Sequence, residues 1–277
     1  MGQSLNLPIS FFSMRKLEIG GGRVFDALSP SSPLRLQIPP TVQGYTDAQL
    51  DDYGLPTIKR RADYPWRPDV ALRVVARFSH GEGGLRGTAG FGFWNAPFGD
   101  PTVWGVARPS ACWFFYGSAP NDLPLAADGP GRGWFAATLD ASRPSTIPLI
   151  PLAPFVLLAN RVGRVRRRLW PWVQQRLGIA FAPIVVDMTA WHEYRLDWRR
   201  EGCTFMIDGR TLLHTPHSPQ GPLGFVCWMD NQYMVVTGHG RLGWGTIATP
   251  ETQWLELNDL QLSVWAESPT TTDSFNR

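Results

Sequence analysis

Residues 191–233, WHEYRLDWRREGCTFMIDGRTLLHTPHSPQGPLGFVCWMDNQY, hold consecutive strand patterns in a fixed order. Trp191, Glu193, Arg195 and Asp197 fall on one face of an extended chain and His192, Tyr194, Leu196 and Trp198 on the other, the period of two of a half-buried strand. One face is wet and the other packed. After a polar turn at 199–202, Cys203, Phe205 and Ile207 alternate with Thr204 and Met206. Asp208-Gly209 is then a two-residue hairpin signal that sends the chain back through 210–214. Past a corner marked by Pro216, Pro219 and Pro222, residues 223–229 form a further strand running into Asp230 and Asn231.

The composition suits the same picture. A chain of 277 residues, 43% hydrophobic and 18% charged, can bury a sizeable core, and sandwiches of this length are commonly one domain. Its 25 Pro and 28 Gly are spread as punctuation between short strand patterns, which favours an all-β fold over disorder. There are 13 Trp and 15 Phe. Each buried indole N–H needs a partner, so several of these rings are expected to line a groove. Cys112, Cys203 and Cys227 cannot all pair and show no CxxC or metal-like spacing, which predicts free thiols. The first 22 residues lack a charged region followed by an apolar run and a cleavage site, and no stretch reaches the length of a membrane span. The expectation is a soluble, cytoplasmic protein. A myristoylation signal fails at Asn6, where Ser or Thr is wanted.

Taken in order, residues 1–65 read as an irregular segment packed on the sandwich, with an outer strand at 24–28 and the first strand near the last. Residues 66–267 read as the β-sandwich domain and 268–277 as a polar tail. In 70–78, Val70, Leu72, Val74, Ala76 and Phe78 share one face while Arg73 and Arg77 share the other. The glycine-rich loop 80–87 lacks the spacing and the Lys of a phosphate loop. In TAGFGFWN, 88–95, Gly90 and Gly92 alternate with Phe91 and Phe93, which suggests close approach by something packed or bound on the glycine face. Further strands are expected at 111–116, 134–139 and 260–264, with a glycine-rich loop at 237–245.

The order of tryptophan-histidine strand, Asp-Gly hairpin and strand ending in polar residues resembles the second half of the laminarinase-like family 16 glycoside hydrolases. It also resembles the wider concanavalin A-like lectin and glucanase superfamily, over about residues 70–266. The resemblance implies a jelly-roll β-sandwich. In those hydrolases the strand equivalent to 111–116 reads ExDxxE, and its carboxylates attack the sugar carbon, tune the nucleophile and protonate the leaving oxygen. Here it reads ACWFFY, so the resemblance puts Ala111, Trp113 and Tyr116 where those acids stand. None can perform retaining two-carboxylate hydrolysis; the competing reading is that ACWFFY is simply a buried strand placed elsewhere. By the same registration Phe91, Phe93, Trp94, Trp113, Tyr116 and Trp228 face or flank the cleft, exchanging carboxylates for aromatic walls. Asp230, Asn231 and Tyr233 follow a strand that in the hydrolases ends beside the substrate. They form the best polar cluster, against the alternative of an Asx-type turn with a packed tyrosine.

Pro148, Pro151 and Pro154 introduce a segment that the family pattern lacks. Phe155, Leu158, Val162, Val165, Leu169, Trp172, Val173 and Leu177 recur at spacings of three and four, a helix over 155–177 that Pro171 should kink or divide. Its polar side carries Arg161, Arg164, Arg166, Arg167, Arg168 and Arg176 and no acid; without these six the formal charge falls from +3 to −3. Three readings compete: contact with an anionic membrane surface or partner, a lid whose apolar face closes a pocket, or packing on the sandwich with a solvated arginine face. Nucleic acid is not indicated, because the basic run is local and no aromatic-interleaved platform accompanies it.

His192 is expected to be a hydrogen-bonded core histidine. His214, His217 and His239 are too dispersed to indicate a metal, no GxSxG or HExxH motif occurs, and no cofactor is implied. The expected function is a non-hydrolytic β-sandwich binding a largely apolar small molecule, with Asp230 and Asn231 as anchors and the helical segment as lid. Three alternatives stay open. One is a cofactor-independent isomerase, hydratase or cyclase in which Asp230, its pKa raised by burial, works as acid or base and Tyr116 donates a hydrogen bond. The others are a lectin-like carbohydrate binder, and a glycosidase with displaced carboxylates such as Asp100 or Asp122.

Overall fold

The alternation of the quoted stretch becomes three-dimensional in a computed structural model, which describes residues 4–5, 14–27, 32–100, 103, 105–126 and 129–265. In chain order the first strands are β1 (Ser4–Leu5), β2 (Arg15–Ile19), β3 (Arg23–Phe25), β4 (Leu34–Ile38), β5 (Asp47–Asp51), β6 (Val70–Phe78), β7 (Thr88–Trp94), β8 (Ser110–Gly117) and β9 (Gly133–Asp140). Two helices follow, α1 (Leu149–Ala159) and α2 (Gly163–Arg176), and then β10 (Ala180–Pro183), β11 (His192–Arg199), β12 (Gly202–Ile207), β13 (Arg210–Thr215) and β14 (Gly224–Asp230). The hairpin β15 (Gln232–Val236) and β16 (Leu242–Thr246) precedes the long closing strand β17 (Gln253–Trp265).

Apart from the two-stranded β15–β16 hairpin, these strands make two antiparallel sheets. One has the order β13-β12-β11-β6-β17-β4-β3 with β1 paired to β17, the other β10-β9-β8-β7-β14-β5-β2. The fold is an all-β jelly-roll sandwich. Within the opening stretch, β11 to β13 supply one edge of the first sheet and β14 crosses to the middle of the second. Asp208 and Gly209 both take positive φ, 49° and 74°, the backbone of a type I′ turn whose twist matches its strands. Tyr194, Leu196 and Trp198 are fully buried, with the Trp198 indole N–H donating to Pro219 O at 2.8 Å. Val70, Leu72, Val74, Ala76 and Phe78 meet Phe91, Phe93, Phe114, Tyr116 and Phe225 from the opposing sheet. Each such buried side chain contributes roughly 1.5–3 kcal/mol. The three cysteines are free and buried.

Two expectations are corrected. The described part of residues 1–65 is not an irregular segment: β2, β3, β4 and β5 are integral strands of the two sheets, while β1 pairs with β17 through Ser4 and Trp265, the expected closeness of first and last strands. Their signal is weak because each is five residues or fewer. The helical segment begins earlier than 155 and divides at 160–162, not at Pro171, which lies inside α2 as Pro154 lies inside α1. The break coincides with Asn160, whose Nδ2 donates to Gly238 O at 2.8 Å and ties the junction to the β15–β16 hairpin. Among the described residues no helix is long and apolar enough to cross a membrane.

Candidate functional site

Strand register writes out the face of the second sheet that points away from the sandwich core. One row runs Arg15, Asp51, Val226, Gly92, Trp113, Ala137 and Phe181; the next runs Leu17, Gln49, Trp228, Gly90, Phe115 and Phe135; a third runs Asp47, Asp230, Thr88, Gly117 and Gly133. The middle of this face is aromatic. Ring centroids lie 5.9 Å apart for Trp94 and Trp113, 6.0 Å for Trp113 and Trp228, 5.4 Å for Trp113 and Phe115, and 5.5 Å for Phe115 and Trp228. Two of the three indoles are satisfied: Trp94 Nε1 donates to the Tyr53 hydroxyl at 2.8 Å and Trp228 Nε1 to Thr88 Oγ1 at 2.9 Å. Trp113 Nε1 is buried with no hydrogen-bond partner.

The strip exists because β7 is bare here. A Cβ on Gly90 would come within 2.9 Å of the Trp228 ring, and one on Gly92, whose φ is +152°, within 2.7 Å of Trp113 Cβ and 2.6 Å of Cys112 O. Gly90 leaves room for the Trp228 ring and Gly92 for the β8 backbone at Cys112 and Trp113. Gly92→Ala is therefore expected to destabilise the protein by about 1–3 kcal/mol through overpacking, read as a lower urea midpoint; an unchanged midpoint would show that the β8 backbone can shift away.

Of the side chains expected at the cleft, Trp94, Trp113 and Trp228 lie on this face, as does Ala111 beside Trp94. Phe91, Phe93 and Tyr116 do not: all three point into the sandwich core. The ExDxxE spacing sets its last residue three beyond the middle one, and such residues face oppositely unless a bulge intervenes. β8 pairs with β7 and β9 without a register shift. Phe115 therefore takes the groove position, while the Tyr116 hydroxyl donates to the carbonyls of Glu82 and Leu85. Alternation from Trp113 alone would have found Phe115.

The polar cluster also separates. Asn231 is a structural clamp: Oδ1 accepts from Thr46 N at 2.9 Å, and Nδ2 donates to Gly44 O and Ile247 O. Tyr233 sits on β15 against Gly245. Asp230 stays at the end of the groove face, where its Oδ1 accepts from Thr88 Oγ1 at 2.8 Å and Gln232 N at 3.0 Å. Burial pushes its carboxyl up to about 6 against those donors. Asp47 is its directly opposed cross-strand neighbour, and burial followed by repulsion from Asp230 raises Asp47 well above the carboxylate range, although the Tyr45 hydroxyl bonds to it. Asp230 and Tyr116, named together for acid and base work, stand on opposite faces of one sheet. Asp47, Gln49 and Asp51 were missed, although their polar alternation with Ala48 and Leu50 in DAQLD is a strand signal.

The displaced carboxylates are committed to fixed partners. Asp100 and Asp51 are both gripped by Arg15, at 2.6 and 2.7 Å, and Asp122 Oδ1 accepts from Gly131 N. His192 is hydrogen-bonded but sits at the strand end, half-buried, between Asp208 Oδ2 and Asp187 O. His214, His217 and His239 form no metal-binding group among the described residues.

Loops roof the aromatic strip. Tyr53, Ile58, Tyr64, Ala96, Leu125 and Ile179 pack into the same cluster, leaving Trp113 and Trp228 8% exposed and Phe115 7%. α2 holds part of that roof in place: Gln174 Nε2 donates to the carbonyls of Pro124, Leu125 and Ala126. Two cavities, of about 170 and 450 Å³, take no side chain from Trp94, Trp113, Phe115 or Trp228. The larger is walled by the 82–86 loop together with Ser118 and Arg132.

No family model and no curated protein matches the sequence. Among solved structures the chain is similar to a GlcNAcα1-4Gal-releasing endo-β-galactosidase from Clostridium perfringens, with 11% identity, TM-score 0.48 and coverage of 96% of this chain and 62% of that one. It is also similar to the carbohydrate recognition domain of Emp47p, with 11% identity, TM-score 0.45 and coverage of 92% and 89%. A third is a pseudo β-1,3-glucanase of Mycobacterium tuberculosis, with 14% identity, TM-score 0.43 and coverage of 89% and 79%. At such distances the choice of ligand falls to the chain's own residues.

Proposed function

We propose that this protein binds, without hydrolysing it, a largely apolar small molecule bearing an acceptor oxygen, laid over Trp94, Trp113, Phe115 and Trp228. The observation that carries the reading is the buried, unpartnered Trp113 N–H among rings whose other indoles are satisfied. An orphaned donor in an apolar setting costs about 1–3 kcal/mol, and a ligand oxygen would recover it. The β8 side chains on this face, Ala111, Trp113 and Phe115, supply no carboxylate. In this reading the described state is the closed one. The 123–126 loop and α2, joined through Gln174, act as the lid and must shift for a ligand to enter.

Native mass spectrometry of the protein purified from its source is expected to show one apolar molecule per chain. Trp113→Phe keeps a ring and deletes the N–H, so occupancy by the extracted molecule should weaken by roughly tenfold. A chain that carries nothing and instead binds a β-linked oligosaccharide saturably would replace this reading with the lectin-like one.

A further inference from the structure

α1 reads LIPLAPFVLLA and buries none of its side chains. Ile150, Leu152, Phe155 and Leu158 are 58, 48, 70 and 62% exposed. Val162 at the junction and Val165 and Trp172 on α2 are exposed as well, by 56, 40 and 43%. Monomeric soluble proteins seldom leave so many large apolar side chains of one helical segment in water without a use for them. Around it stand Arg161, Arg164, Arg166, Arg167, Arg168 and Arg176, all exposed. None of these forms an ion pair with a described carboxylate.

The patch is held in place. Val173 and Gln174 are buried against the sandwich, Asn160 is tied to Gly238, and the Trp170 ring lies over Gly238. The hairpin that receives these contacts presents Leu242 and Trp244 on one face, 73 and 77% exposed.

We propose that the α1–α2 pair is a docking surface for an anionic lipid bilayer. The apolar side chains would enter the boundary between headgroups and acyl chains while the arginines meet lipid phosphates. Charge decides the occupant. In a two-fold dimer the same patch meets itself, so six arginines would face six arginines with no acid between them. Eleven residues of α1 make a helix about 16 Å long, roughly half the hydrocarbon thickness, so it lies in the interface and does not span. This proposal does not depend on the groove ligand, and vesicle binding is read separately from ligand occupancy.

The test is flotation of the full chain with vesicles of phosphatidylcholine alone or with about 30% phosphatidylglycerol. Expected is binding to the anionic vesicles, at least tenfold weaker to neutral ones and reversed by about 0.5 M NaCl, where the screening length falls well below 10 Å. Phe155→Ser with Leu158→Ser should weaken it by about a hundredfold, as should replacing Arg166, Arg167 and Arg168 together by Gln, at about fivefold per charge. These side chains are exposed, so the melting temperature should not move. The proposal is overturned if anionic vesicles do not float the protein, if neutral vesicles bind as well, or if neither variant weakens binding. It is equally overturned if light scattering shows a dimer that Phe155→Ser with Leu158→Ser converts to monomer, since the patch would then be a contact between copies.

Discussion

Arg15→Met is expected to cost about 3–5 kcal/mol of stability, and to cost more at pH 8 than at pH 5. Arg15 enters from β2, an edge strand, and its guanidinium serves two carboxylates at once. Nε and one terminal nitrogen donate to Asp51 Oδ2 at 3.0 and 2.7 Å, while the terminal pair donates to Asp100 at 3.0 and 2.6 Å. Asp51 is fully buried and Asp100 nearly so. Burial raises the Asp51 carboxyl, and Arg15 is the largest influence holding it down. Deleting the cation leaves two negative charges in a poorly solvated place, and each can escape only by taking a proton. Protons are scarcer at pH 8, so the loss grows with pH. Arg15→Lys, which keeps charge but not the planar fork, should recover part of it. Guanidinium denaturation at both pH values checks this; a loss below about 1 kcal/mol at pH 8 would mean that water already reaches Asp51.

The second large effect is a fall in stability on going from pH 4 towards pH 8. Burial pushes the carboxyl of Asp52 up to about 7, against donation from Trp66 Nε1 and the Phe225 N–H, and that of Asp230 up to about 6. Burial and repulsion from Asp230 raise Asp47 well above the carboxylate range as well. In the unfolded chain these groups titrate near ~3.9. Below about pH 4 both states hold the protons and the stabilisation is fully present. Between there and each folded value only the unfolded chain has released them, so folding loses about 1.4 kcal/mol per group per pH unit. The total is about 4 kcal/mol for Asp52 and about 3 kcal/mol for Asp230. His217 acts in the opposite sense: burial, reinforced by Arg143, lowers its pKa, which costs stability only as pH falls below ~6.5. Urea midpoints at pH 4.5, 6 and 7.5 should therefore decline, with Asp52→Asn reducing the decline up to about pH 7 and Asp230→Asn reducing it only below about pH 6. Stability that climbs steadily from pH 5 to pH 8 would exclude the assignment.

The groove was only partly legible in the sequence. Trp113 and Trp228 could be placed by alternation along their strands, and the glycines of TAGFGFWN announced that something lies across them. Tyr116 could not be placed: borrowing the ExDxxE spacing imported a bulge that β8 does not have. Asn231 and Tyr233 were grouped with Asp230 by proximity in sequence, yet the turn after β14 sends each to a different neighbour. The acids that do accompany Asp230 come from β5, about 180 residues earlier, and only strand pairing brings Asp47 opposite it.

What the sequence determined unaided is whatever depends on neighbours along the chain. The period of two in 192–199, the positive φ demanded at Asp208-Gly209, and the three-and-four spacing within 155–177 each follow from backbone geometry over a few residues. Tertiary structure alone decided which side of ACWFFY meets the core, that a five-residue segment such as DAQLD pairs with β14 one strand in from the sheet edge, and that the apolar stripe of α1 is left uncovered. A face is buried or exposed according to what packs on it, and that partner is fixed by pairing between segments far apart in the chain.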